Sequence, residues 1–111
     1  TIASVFYNRL AAGMPLQTDP TVQYALGYDE TNQSWWKPDL TMDDLQIDSP
    51  YNTYLYAGLP PGPISNPSLE TLEAVAYPQQ TPYFFFRAKC DGSGTHVFSI
   101  TYEEHLGNAC P

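Results

Sequence analysis

YFFFRAKCDGSGTHVFSITYEEH, running from Tyr83 to His105, is the stretch whose reading decides the fold class. Tyr83 to Ala88 is dense in aromatic residues and predicts a strand. Asp91-Gly92-Ser93-Gly94 gathers the residues that reverse a chain. His96 to Ile100 then reads as the returning strand, so the segment predicts a β-hairpin. Thr101 follows as the cap of a last helix, with Glu104 three residues on completing a capping box.

Upstream of the hairpin the pattern is helical. Asn66 is the predicted cap of a helix with Pro67 at its first position, and Leu69, Leu72, Val75 and Ala76 form its expected buried face. Glu70 and Glu73 fall on the solvated side. Asp48 to Pro67 is rich in proline, which fixes φ and removes donors, so a stiff loop outside any helix or sheet is expected. Thr41 to Leu45 predicts one helical turn capped by Thr41. Residues 28–38 are polar apart from Trp35 and Trp36 and read as a surface loop.

Asp19 or Thr18 is expected to cap a helix that carries Pro20 at its start and Val22, Tyr24, Ala25 and Leu26 along it, ending at Gly27. From Thr1 to Leu10, Ile2, Val5, Phe6 and Leu10 share a helical face, with Arg9 at its edge, Asn8 off it and Gly13 as the stop. No convincing cap opens this helix, so the chain is expected to be cut inside or just before it. The sum is an α+β fragment of a larger catalytic domain: several short helices with a β-hairpin near the C-terminus.

The 111 residues amount to one domain or a piece of one, and 42% hydrophobic content permits a modest core. A net charge of −8 would repel phosphate backbones and acidic membrane surfaces, which argues against nucleic acid as a partner. Nine tyrosines, two tryptophans and few cations suit a neutral, ring-shaped ligand such as a glycan. No apolar run approaches the roughly 20 residues that span a bilayer, and no signal peptide follows Thr1. Any membrane anchor is therefore expected outside these residues. Cys90 and Cys110 either stay free or close a loop of about 20 residues, a link worth on the order of 3 kcal/mol in an oxidising compartment.

Several chemistries lack their residues. There is no Gly-rich nucleotide cradle and no nucleophile elbow. His96 and His105 lack metal-ligand spacing. Lys37 and Lys89 sit in polar settings that do not suit a Schiff-base lysine. No cofactor is expected. Glycan cleavage requires a carboxylic acid of raised pKa, and no glutamate here lies within an apolar run that would desolvate it.

Three blocks together resemble one family. The first is Ala3-Ser4-Val5-Phe6-Tyr7-Asn8-Arg9-Leu10, leading into Gly13-Met14-Pro15-Leu16-Gln17-Thr18-Asp19-Pro20-Thr21. The second is Asp48-Ser49-Pro50-Tyr51-Asn52-Thr53-Tyr54, followed by Gly58-Leu59-Pro60-Pro61-Gly62-Pro63-Ile64. The third is Gly94-Thr95-His96-Val97-Phe98-Ser99, with Glu104-His105. In order and spacing they are similar to the YceG-like family of endolytic peptidoglycan lytic transglycosylases.

The resemblance implies a single-pass bacterial membrane protein with its catalytic domain on the extracytoplasmic side. It implies cleavage of the MurNAc–GlcNAc bond to 1,6-anhydro-MurNAc ends, in cell-wall biogenesis and glycan strand termination. The partners it implies are peptidoglycan glycan strands and cell-wall synthesis proteins. The family's catalytic glutamate lies upstream of the first block. Residues 1–111 would thus be the C-terminal portion of the catalytic domain without that glutamate, inactive alone. Departures are Pro15, the insertion-like Trp35-Trp36 loop, and Cys90 with Cys110. Gln17, Asp19, Tyr51, Asn52, Tyr54 and His96 are the candidate substrate-binding residues. Gln17 and Asp19 are candidates to hold the sugar or orient the absent acid, unless Asp19 only caps its helix. Tyr51, Asn52 and Tyr54 offer stacking faces and amide hydrogen bonds suited to N-acetyl sugars, or else brace the loop. His96 either lines the cleft or is structural, and Trp35 with Trp36 is either a peripheral glycan platform or a core edge. Two other readings compete: a non-catalytic peptidoglycan-binding module, and a pyridoxal-phosphate lyase of aminodeoxychorismate metabolism.

Overall fold

The structure is a computed structural model that describes residues 1–109. It contains α1 (Ile2–Ala12), α2 (Asp19–Leu26), a 3-10 turn (Asp44–Gln46), α3 (Leu69–Ala76), β1 (Phe85–Ala88), β2 (His96–Ser99) and α4 (Tyr102–Gly107). The class is α+β, as the hairpin segment predicts. The chain divides into two compact units: Thr1–Ala12 with the chain from Pro67 onward, and Gly13–Asn66.

In the first unit, β1 and β2 pair antiparallel with Phe85 opposite Ser99 and Ala88 opposite His96. Gly92 and Gly94 adopt positive φ in the connecting turn, a conformation that side chains resist. Asp91 Oδ1 accepts from the Ser93 amide at 3.0 Å, and these bonds from Ser93 hold the Asp91 carboxyl below its ordinary pKa. Thr101 caps α4 by accepting from the Glu104 amide at 3.2 Å. The return half of the capping box is altered: the Thr101 hydroxyl itself donates to Glu104 Oε1 at 3.1 Å.

Aromatic rings fill the space around the hairpin. Phe6 of α1 meets Phe86 edge-on at 5.7 Å, and Tyr83 and Phe98 lie 5.4 Å apart. Such ring pairs add about 0.5–1.5 kcal/mol beyond the area they bury. The Arg9 guanidinium sits 4.9 Å from the Phe85 ring centroid, and the His105 ring stacks on Phe85 at 5.2 Å. Burial pushes the His105 pKa down, and the charges of Arg87 and Arg9 push the same way.

The inner face of α1 differs from the sequence expectation. Ser4, Val5 and Arg9 are its buried residues. Asn8, expected off the face, donates through Nδ2 to the carbonyls of Thr81 (2.8 Å) and Tyr83 (2.7 Å). Arg9 Nε donates to the Phe84 carbonyl at 2.7 Å. The Phe84 amide pairs with the Ser99 carbonyl at 3.1 Å, and the carbonyls of Thr81, Tyr83 and Phe84 need donors of their own. Side chains of α1 supply them.

Two expectations about α3 are corrected. Its cap is Ser68, whose hydroxyl accepts from the Thr71 amide at 3.2 Å, rather than Asn66 with Pro67 at the first position. Asn and Ser cap about equally well, so residue type alone does not decide between Asn66 and Ser68. Leu69, Leu72, Val75 and Ala76 are all exposed, Leu69 by 71%, so the apolar stripe is real but uncovered among the described residues. The turn expected at Thr41 to Leu45 is the 3-10 turn. Its Thr41 hydroxyl accepts from the Asp44 amide (3.1 Å), while Asp44 Oδ2 accepts from the Thr41 amide (2.9 Å).

In the second unit, Thr18 takes the cap position of α2 without a side-chain capping bond, Pro20 is the second helical residue rather than the first, and the helix ends at Gly27 with φ 78°. Leu16, Thr21, Val22, Asn52 and Thr53 are its buried residues. The segment Asp48 to Pro67 lies outside every helix and strand, as its prolines dictate. No helix among the described residues is long and apolar enough to cross a membrane.

Candidate functional site

The second unit gathers five of the six predicted site residues around one join. The chain at Leu16–Thr18 runs against the chain at Asn52–Tyr54. The Gln17 amide donates to the Thr53 carbonyl at 3.2 Å, and the Thr18 amide to Thr53 Oγ1 at 2.9 Å. Thr53 Oγ1 is also 2.8 Å from Thr21 Oγ1, so a buried threonine pair ties the loop to the start of α2.

Gln17 carries φ +50°, a left-handed conformation unusual for a residue with a side chain. Its side chain is exposed. Holding it there costs on the order of 1 kcal/mol, offset by the surrounding bonds. Asp19, also exposed, accepts at Oδ1 from the Tyr54 hydroxyl at 2.5 Å. Asp19 occupies the first helical position rather than the cap, where its charge suits the helix N-terminus.

Asn52 has a different place from the one its chemistry suggested. It is 0% exposed. Its Nδ2 donates to the Leu45 and Ile47 carbonyls, both at 2.9 Å, and its Oδ1 accepts from the Tyr54 amide at 3.0 Å. No atom is left to reach a sugar. Asn52 is a brace that fixes where Tyr51 and Tyr54 emerge, so it leaves the set of substrate-contacting candidates.

Tyr51 is half-buried, its ring 4.9 Å from that of Tyr24 on α2. A Cβ added at Gly62 would stand 3.3 Å from the Tyr51 hydroxyl, so the proline-rich segment closes over that group. His96 belongs to the other unit, on β2, with its ring edge-on to Phe86 at 5.7 Å.

An open pocket of about 570 Å³ lies in the second unit, lined by Tyr24, Gly27, Trp35, Trp36 and Ile64. The sequence left Trp35 and Trp36 open between a peripheral glycan platform and a core edge, and both are exposed. Their exposure in a polar setting was the available signal.

Asp29, Asp44 and Asp91 make local bonds within their own loops and turns. Asp44 pairs with Lys37 at 2.6 Å, a hydrogen bond that holds its carboxyl below the ordinary range. Glu30, Glu70, Glu73, Glu103 and Glu104 are all exposed. A proton donor for a glycosidic oxygen needs a desolvated carboxyl, and none of these glutamates is desolvated. Among the described residues no group of three or more potential ligands could hold a metal ion. No described cysteine is free; the proposed Cys90–Cys110 link involves Cys110, which lies outside the described residues.

Residues 1–110 match the YceG-like family. The chain belongs to that family. It is 51% identical over 104 residues to an endolytic murein transglycosylase of Bacillus subtilis, covering 94% of this chain and 26% of that protein. It is 38% identical over 107 residues to an endolytic murein transglycosylase of Streptococcus pneumoniae, covering 96% of this chain and 19% of that protein. A crystal structure of a YceG-like protein from Listeria monocytogenes superposes with a TM-score of 0.84 at 51% identity, over 96% of this chain and 32% of that one. The chain thus spans 19–26% of the length of the curated relatives it matches.

Proposed function

We propose that this YceG-like chain serves as part of the glycan-holding region of an endolytic murein transglycosylase. The observation that carries the reading is 51% identity, across 94% of the chain, to a protein with that activity. In the proposed reaction a glutamate protonates the glycosidic oxygen between MurNAc and GlcNAc. The C1–O bond breaks as the muramic 6-hydroxyl attacks C1. The hydroxyl proton returns to the carboxylate, leaving a 1,6-anhydro end. The nucleophile belongs to the substrate, so one carboxyl suffices where hydrolases use two.

The exposure of every glutamate in this chain favours a proton donor elsewhere in the protein. Gln17, Asp19, Tyr51 and Tyr54, gathered at one join, are the proposed sugar contacts, with His96 a further candidate on β2. A membrane-anchored, extracytoplasmic location and cell-wall synthesis partners belong to the same proposal.

Purified sacculi incubated with the full-length protein should release fragments ending in 1,6-anhydro-MurNAc, read by mass spectrometry. Binding to sacculi without any anhydro product would favour a non-catalytic peptidoglycan-binding module instead.

A further inference from the structure

We propose that the Trp35–Trp36 loop forms an additional saccharide subsite, a stacking platform for an uncharged pyranose ring of a glycan strand. The inference deepens the proposed function and rests on it for the identity of the strand.

The loop is a built feature. Asp29 and Ser34 pair backbone to backbone (2.7 and 3.1 Å), closing a tight turn in which Gln33 is held at φ +50°. Asp29 adds side-chain bonds to the Thr31 amide and to Asn32. Ser34 Oγ accepts from the Trp36 amide at 3.0 Å. Gln23 of α2 donates to the Lys37 carbonyl at 2.8 Å, and Lys37 is tied to Asp44. Both ends of the tryptophan pair are therefore anchored.

What this framework presents is apolar area that water would otherwise disfavour. Trp35 is 66% exposed, and Trp36, Tyr24 and Tyr28 are exposed as well. The Tyr28 ring abuts Trp35 edge-on at 5.1 Å and supports one edge of the indole. A fixed, uncovered ring costs little further entropy when a ligand stacks on it. The pocket lined by Tyr24, Trp35 and Trp36, about 570 Å³, falls in the range of small-molecule sites.

Charge selects the class of ligand. Lys37, the cation of this loop, is engaged by Asp44, while Asp29 and Glu30 stand on the same loop. An anionic ligand would meet carboxylates without a matching cation. A neutral ring with apolar C–H faces and equatorial hydroxyl or acetamido groups fits both the aromatic walls and the polar loop around them.

The test uses the full-length protein and the β-1,4-linked N-acetylglucosamine tetramer. Titration should give a saturable change in tryptophan fluorescence. Trp35→Ala should raise the Kd about tenfold, the size expected for losing an aromatic contact. Trp35→Phe, which keeps a ring, should raise it less. Far-UV circular dichroism checks that each variant folds, and the exposure of Trp35 favours that. Wild-type protein without a saturable response overturns the subsite, and so does unchanged affinity in both Trp35→Ala and Trp36→Ala. Anhydro-product release from sacculi reads the other claim. Its absence with tetramer binding intact defeats the transglycosylase reading alone, and its presence with tetramer binding absent defeats the subsite alone.

Discussion

Removing the Asn52 amide would strand the Leu45 and Ile47 carbonyls and free the Tyr54 amide inside the second unit. Losing such buried bonds costs about 1–3 kcal/mol. Asn52→Ala should therefore lower the melting temperature of the protein markedly. A variant that melts like wild type would contradict the bracing role. Gln17 invites the opposite experiment. Gln17→Gly relieves the left-handed strain and should leave stability within roughly 1 kcal/mol of wild type. If the exposed Gln17 amide holds a sugar, the same variant should bind the N-acetylglucosamine tetramer more weakly. Equal melting with equal affinity would remove Gln17 from the glycan surface. The sequence offered both residues as substrate-holding candidates, Asn52 for its amide and Gln17 to hold the sugar or orient the acid. It could not distinguish them, because burial of Asn52 is decided by carbonyls five and seven residues away in a loop of no repeating pattern.

At the scale of elements, the hairpin, α1 and α2 were legible because capping residues, glycines and prolines act locally. The inner face of α1 was not, because Ser4, Asn8 and Arg9 serve a segment more than seventy residues away. The cap of α3 can be tested directly: Ser68→Ala should cost about 1 kcal/mol, while Asn66→Ala should leave the melting temperature unchanged. The reverse result would restore Asn66 as the cap. The contact of α4 with the hairpin carries a pH dependence. Burial depresses the His105 pKa in the folded state, so the unfolded chain takes up the proton first. Stability should be full above about pH 6.5, the ordinary histidine value, and should decline as pH falls below it. His105→Phe should flatten that decline in melts between pH 5 and 7, ranges set by the same reference value. An unchanged slope would mean that His105 is not its source.

For the molecule as a whole, the family was legible from three sequence blocks, and the match across residues 1–110 agrees. The place of each candidate ligand was only partly legible. Gln17, Asp19, Tyr51 and Tyr54 do converge within one unit, while the tryptophan pair, singled out by the sequence, acquires a pocket only once Tyr24 and Ile64 are brought beside it. The central claim is that these residues hold the glycan and the proton donor belongs to another part of the protein. The most direct measurement replaces Glu30, Glu70, Glu73, Glu103 and Glu104 with glutamine together in the full-length protein and analyses sacculus digests by mass spectrometry. The account predicts 1,6-anhydro-MurNAc ends from both the wild type and the quintuple variant. Anhydro ends from the wild type alone, with the variant folded, would contradict it.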